Sequence, residues 1–257
     1  MAVLKRMYWD IETSPCVGYF WRPGRKVSIS YDNILEDAKI ICICWKWEGE
    51  DEVYSLDWGK KQDDRKLVQE FAKELMKADD AVAHNGDRFD LPWLKTRFLI
   101  HGVDFPAKIV TTDTLKRVRS NFRFPSNRLD AIGDYLGVGR KMDTGGFGLW
   151  KDVMLGDREA LDKMVEYCKQ DCVLLEAVHK KITNLVPVTT HHGVLTGGEK
   201  WTCPSCGSVH VKCSKTRVTA MGTIKRQMNC NSCRRYYTIS NKSYENHVMW
   251  RMKNKPS

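Results

Sequence analysis

The sequence has no long hydrophobic run: in its 257 residues the longest strongly apolar stretch is Ile40–Trp45, far below the ~18 residues a membrane span needs. The first ten residues carry Lys5 and Arg6 but no apolar segment of signal-peptide length. Nothing there directs the chain to an oxidising compartment, and a cytoplasmic location is expected. Eight Pro and eighteen Gly beside 42% hydrophobic residues exclude disorder, collagen-like repeats and mucin-like stalks as descriptions of the whole. Internal repeats and low-complexity segments are lacking as well. From Val186 to Ser257 acidic residues are nearly missing: 2 Asp+Glu stand against 12 Lys+Arg, whereas the first 185 residues hold 30 of each. The whole net charge of +10 therefore sits in the last 72 residues. That asymmetry points to a module contacting nucleic acid or another anionic surface, attached to a neutral body.

The first 185 residues read as alternating strands and helices. Met7–Ile11, Ile40–Trp47, Val53–Leu56, Ala81–Ala83 and Ile109–Thr111 have strand composition, and Asp64–Lys77, Leu91–His101, Arg128–Leu136 and Asp157–Ile182 have helical periodicity. The order predicts an α/β domain, a mixed sheet covered by helices, over residues 1–185. Turn formers make 186–200 a linker. Residues 201–240, with two CxxC pairs, form a small second domain, and 241–257 a basic tail of uncertain order.

Two carboxylates alternate on the first strand, so Asp10 and Glu12 project to one face while Trp9 and Ile11 go to the other. Such a pair is either solvated at a strand end or held by a cation. On the last helix of the domain, Leu161, Met164, Val165, Cys168, Cys172, Leu175 and Val178 define an apolar arc. Tyr167 and Asp171, one turn apart, fall on its edge. A carboxylate there needs a metal, a basic partner or a wet cleft. Asp90, before Leu91 and Pro92, reads as a helix N-cap that can also point into a site.

Together Asp10-Ile11-Glu12-Thr13, Asn85-Gly86-Asp87-Arg88-Phe89-Asp90 and Tyr167-Cys168-Lys169-Gln170-Asp171 resemble the three motifs of the DEDD 3′-to-5′ exonuclease superfamily. Tyr167, four residues before the last Asp, is similar to the DEDDy subgroup. That subgroup includes proofreading domains of family B DNA polymerases and stand-alone RNase H-like exonucleases. Asn127–Asp130, Leu136-Gly137 and Lys141–Gly146 look like bacteriophage-encoded members, which would place the protein in host-cell cytoplasm. The resemblance covers roughly residues 7–182.

The resemblance implies an RNase H-like fold and release of nucleoside 5′-monophosphates, DNA preferred, by two Mg2+ or Mn2+ ions. Such ions take carboxylate oxygens. Asp10, Glu12 and Asp171 would hold the ion that activates water. Asp10, with Asp90 directly or through water, would hold the one near the leaving group, and Tyr167 would orient or help deprotonate the attacking water, orientation being easier for a phenol whose ordinary pKa is near ~10. Thr13, Asn85 and Phe89 would help seat the terminal nucleotide. The chain lacks the length and motifs of a polymerase, so a stand-alone exonuclease, or one supplied in trans, is expected. An exoribonuclease, or a catalytically silent scaffold acting as a DNA-binding adaptor, are the alternatives.

Ten cysteines without a secretion signal do not read as a disulfide framework. Cys203, Cys206, Cys230 and Cys233 form two CxxC pairs that resemble a zinc ribbon, with one structural Zn2+. Around them Lys212, Lys215, Arg217, Lys225, Arg226, Arg234 and Arg235 alternate with Trp201, Tyr236 and Tyr237. The composition suits phosphate contact and stacking, or a solvated basic face on a protein-binding module. Cys42, Cys44, Cys168 and Cys172 read as small core hydrophobes.

Overall fold

The computed structural model describes residues 4–22, 24, 27–105, 109–142 and 145–254; Asp143 and Thr144 of the Lys141–Gly146 segment lie outside them. The chain divides into two compact units, one spanning Arg6–Lys181 and one built from the residues before Arg6 together with those from Ile182 onward.

The first unit is organised by β1 (Arg6–Thr13), whose first six residues alternate Arg, Met, Tyr, Trp, Asp, Ile and thus offer bulk to both faces. Beyond it β2 (Val17–Gly18) and β3 (Ile34–Glu36) form a small ribbon, then β4 (Ile40–Trp47) and β5 (Val53–Asp57) return as a hairpin. After α1 (Arg65–Leu75) the chain makes β6 (Asp80–Ala83), α2 (Asp90–His101) and β7 (Thr111–Asp113). The sheet order is β5-β4-β1-β6-β7. β1 pairs antiparallel with β4 and β4 with β5, whereas β6 pairs parallel with β1 and β7 parallel with β6. Short helices α3 (Thr114–Asn121), α4 (Leu129–Tyr135) and α5 (Gly148–Met154) precede the long α6 (Arg158–Ile182).

The alternation along β1 sends Trp9 toward α1, where Phe71 meets Trp9 and Trp45 at ring distances of 5.4 and 5.5 Å. The opposite face receives α6: the Tyr8 hydroxyl lies 3.0 Å from His179 Nδ1, and Cys172 Sγ donates to the Cys44 carbonyl. The sheet is thus covered on both sides, as the sequence predicts.

Two differences have local causes. The last strand lies at Thr111–Asp113, two residues after the expected Ile109–Thr111, because Ala81–Ala83 pair with those residues. α3 and α5 escape sequence reading because each is short and buries only two residues four apart, Thr114 and Val118 in one, Leu149 and Val153 in the other.

A buried ionic cluster ties α1 to α2. Asp64 accepts two 2.6 Å bonds from the Arg97 guanidinium, one from Ile40 N–H and contacts His101 Nε2 at 2.7 Å. Burial alone would raise the Asp64 carboxyl, yet Arg97, Ile40 and His101 together hold it below its usual range. Asp64→Ala leaves Arg97 as an uncompensated buried charge, so urea unfolding should show a loss of about 3–5 kcal/mol.

The second unit contains a sheet of order β10-β9-β8, formed by β8 (Val211–Val218), β9 (Ile224–Cys230) and β10 (Tyr236–Ser240). All its pairs are antiparallel. Its core is Trp201, Cys203, Val211, Met228, Cys230, Tyr237 and Ile239. Residues 192–195 form α7 (His192–Leu195), where Gly193 packs so closely that a Cβ would lie 2.4 Å from Thr202 Oγ1. The supposed linker therefore contributes to the ribbon's packing. The C-terminal segment forms α8 (Asn241–Lys253), capped by Ser240 and anchored by Trp250 and His247 against Trp201 at 5.0 and 4.9 Å. Its two anchoring rings, His247 and Trp250, stand three residues apart and so share one face of the helix.

Candidate active site

Asp10 and Glu12 stand on the α6 side of β1, opposite Cys44 and Cys42 of β4. Cys168 of α6 lies behind them, its Sγ 3.4 Å from the Asp10 carbonyl. One turn further α6 brings in Asp171. Oxygens of Asp10, Glu12 and Asp171 all lie within 4.8 Å of one another, so α6 brings a carboxylate to two that stand far earlier in the sequence. Asp90 approaches from the neighbouring strand connection, its Oδ1 accepting from Ile11 N–H at 3.3 Å. This replaces the N-cap role: α2 begins at Asp90 with Phe89 in the cap position and no side-chain cap bond. Asn85 at φ 71° and Gly86 make the tight approach possible; a Cβ on Gly86 would sit 2.4 Å from that of Ala83.

Crowding sets the electrostatics. Burial, then the charges of Asp90, Asp171 and Glu12, push Asp10 well above the usual carboxylate range. Burial and Asp171 push Glu12 up to about 8, and burial lifts Asp90 to about 7 against the pull of its backbone N–H bonds. Burial also raises Asp171, although Lys141 pulls the other way. The Lys141 ammonium donates to Asp171 Oδ2 and, at 3.1 Å, to the Tyr167 hydroxyl. Although burial alone would lower it, Asp171 and Asp10 hold this ammonium above the usual lysine range. Asp171 Oδ1 is buried with no hydrogen-bond partner. Four converging carboxylates, mutual repulsion, one cation and an orphaned oxygen fit divalent cations, whose hard charge such oxygens match.

Asp10 opens onto a cleft of about 410 Å³ lined also by His84, Arg119, Arg128, Asp130, Lys141 and Tyr167, among others. His84 is fixed by the Thr114 hydroxyl and the Asn127 carbonyl at 2.9 Å each. Burial lowers its pKa, so its neutral form prevails. The cationic wall of Arg119, Arg128 and Lys141 is what sequence reading missed. These side chains come from α3, a loop end and an irregular segment, and no local period joins them. Of the expected substrate contacts, Phe89 is exposed with its ring 6.4 Å from Trp93, Asn85 occupies the turn, and the Thr13 carbonyl accepts from Trp150.

In the second unit Cys203, Cys206, Cys230 and Cys233 bring four sulfurs within 4.8 Å of one another, a donor set for tetrahedral zinc. Lys212, Lys215, Arg217 and Arg234 are exposed, and Lys225 is half-buried. Arg226 lies over the Tyr244 ring at 4.7 Å and donates to Asn241. Arg235 is the exception: it is buried and donates to the carbonyls of Val186 and Thr183. It holds the chain's own backbone and is not part of a basic surface. Alternation along β10 puts Tyr237 into the core but leaves Tyr236 outside.

A profile of the RNase H superfamily matches residues 36–183, more than half of the chain, and the protein belongs to that superfamily. The family B DNA polymerase of the hyperthermophilic archaeon Pyrobaculum calidifontis has the same fold over 70% of this chain, with a TM-score of 0.54 and 17% identity. The match covers 25% of the polymerase, so the chain spans about a quarter of that protein's length. No curated protein matches the chain. Fold and family together support a nuclease in the broad sense. Among the described residues no helix is long and apolar enough to cross a membrane.

Proposed function

We propose that the protein is a metal-dependent 3′-to-5′ exonuclease acting on nucleic acid, DNA in preference to RNA. The observation that carries this reading is the meeting of Asp10, Glu12 and Asp171, joined by Asp90, with Asp10 facing a cleft that has an Arg and Lys wall. Two Mg2+ or Mn2+ ions, when bound, neutralise the scissile phosphate, supply hydroxide and stabilise the leaving oxygen. Asp10, Glu12 and Asp171 hold one ion, and Asp10 with Asp90 the other. Tyr167, its pKa raised by burial and Asp171, keeps its proton at neutral pH and orients the attacking water by hydrogen bonding. Lys141, beside Asp171 and the Tyr167 hydroxyl, balances the carboxylate charge and presents its ammonium toward the cleft, as do Arg119 and Arg128 their guanidinium groups. The four cysteines hold one structural Zn2+, and Lys212, Lys215, Arg217, Lys225, Arg226 and Arg234 retain the substrate by phosphate contact.

The test is digestion of 5′-labelled single-stranded DNA and matched RNA with Mn2+ or Mg2+, with and without EDTA. A ladder shortening from the 3′ end, faster on DNA and absent with EDTA, is expected. Shortening from the 5′ end, or no product on either polymer, overturns the reading.

A further inference from the structure

The chain does not pass directly from β1 to β4. At the end of β1 the Thr13 carbonyl accepts from Trp150 Nε1 at 3.1 Å, and Ser14 and Lys39 exchange two 2.9 Å hydrogen bonds. Above this clamp β2 and β3 make a neck, closed by Tyr19 N–H donating to Asn33 O at 2.9 Å. The neck admits no side chain at Gly18, where a Cβ would lie 2.7 Å from Asn33 O. The arm beyond it turns its rings outward: Trp21 is fully exposed, Tyr31 and Tyr19 are 82% and 71% exposed, and Phe20 56%. Leaving such rings in water forfeits roughly 1.5–3 kcal/mol for each large apolar side chain, so an unmasked cluster marks a binding surface.

We propose that this arm is a stacking platform for single-stranded nucleic acid, feeding the strand whose 3′ end occupies the carboxylate cleft. The inference rests on the exonuclease reading. Two observations select this occupant over an apolar protein surface. Exposed Arg22 adjoins Trp21, and the sequence from Tyr19 to Asn33 carries three basic residues against one acidic, Asp32, so the aromatic segment has a net positive charge suited to a polyanion carrying flat bases. The arm is also rooted on the strand that carries Asp10 and Glu12. Paired bases hide their faces in a duplex stack, so the platform favours single strands.

The arm's reach sets a length rule. Tyr19 stands seven positions after Glu12, at most about 25 Å of extended chain. At 3.4 Å per stacked nucleotide that is about seven nucleotides. Strands of seven nucleotides or more therefore reach the arm, and a trinucleotide, about 10 Å long, serves as the short control.

Binding of a fluorescein-labelled 20-mer oligo-dT and of a 20-bp duplex is measured by anisotropy in EDTA, which separates binding from cleavage. Wild type is compared with Trp21→Ala, the double variant Phe20→Ala/Trp21→Ala and the ring-retaining Trp21→Tyr. Cleavage of the 20-mer and of a trinucleotide then follows in Mn2+. Trp21→Ala should weaken single-strand binding about tenfold, the double variant further, and Trp21→Tyr little. On the 20-mer KM should rise with kcat unchanged, and trinucleotide cleavage should not change. Equal 20-mer binding by wild type and double variant overturns the arm while leaving an active exonuclease standing. Equal losses on single strand and duplex overturn the stacking role. Arm-dependent binding without any cleavage supports the platform and overturns the exonuclease reading, and a wild type that neither binds nor cleaves overturns both.

Discussion

Asp10→Asn should reduce cleavage about 10³-fold or more while making the metal-free protein more stable at pH 8. Asp10 belongs to both proposed ion sites, and losing several kcal/mol of transition-state stabilisation corresponds to that factor. The stability gain follows from the crowding. In the folded metal-free protein Glu12 is pushed up to about 8 from its ordinary 4.5, and Asp90 to about 7 from 3.8. Between those limits the native state binds more protons than the unfolded chain, so stability falls as pH rises. It is fully present below the unfolded values and lost as pH passes through the folded ones. Melting curves in EDTA from pH 5 to pH 9 should therefore fall steadily for wild type and less steeply for Asp10→Asn. Mg2+ or Mn2+ should restore the wild type at high pH, with release of protons on binding, and restore the variant far less. An Asp10→Asn protein that cleaves normally, or a wild-type melting point that rises with pH in EDTA, would contradict the proposed ion site.

Cys203→Ser, or extraction of zinc by a strong chelator, should unfold the second unit while leaving cleavage of short oligonucleotides intact. The core of that unit is seven buried residues, two of them cysteines. Zinc binding by such a site contributes on the order of 10 kcal/mol, comparable to the whole stability of a small domain. Far-UV dichroism should show loss of β8–β10 and α8. Binding to long single-stranded DNA should weaken, and the slope of log K against log salt should become shallower as the phosphate contacts of Lys212, Lys215, Arg217, Lys225, Arg226 and Arg234 disappear. A chelated protein with unchanged dichroism, and binding with an unchanged salt slope, would remove both the zinc and its assigned role.

The site is legible in the sequence where its residues obey a local period. Asp10 and Glu12 share a face by strand alternation, and Tyr167 and Asp171 share a helix edge by the turn of α6. The four cysteines declare themselves by spacing. Asp90 reads as an N-cap from its neighbours alone; only the approach of α2 to β1 turns its Oδ1 to Ile11 N–H. Arg235 resembles its exposed neighbour Arg234 in every local respect, yet the packing of β10 directs it to the carbonyls of Thr183 and Val186. Basic residues can cover a surface or cross-link a backbone, and composition does not distinguish the two.

Patterning alone determined the elements of the sheet, the face of β1 that carries carboxylates and the neutral body with its basic partner. The tertiary structure decided what those carboxylates meet: Lys141 beside Asp171, an orphaned oxygen, and a cleft walled by Arg119 and Arg128. Side-chain periods of two and 3.6 are written along the chain, whereas a charge balance among residues more than a hundred positions apart exists only after folding removes them from water together.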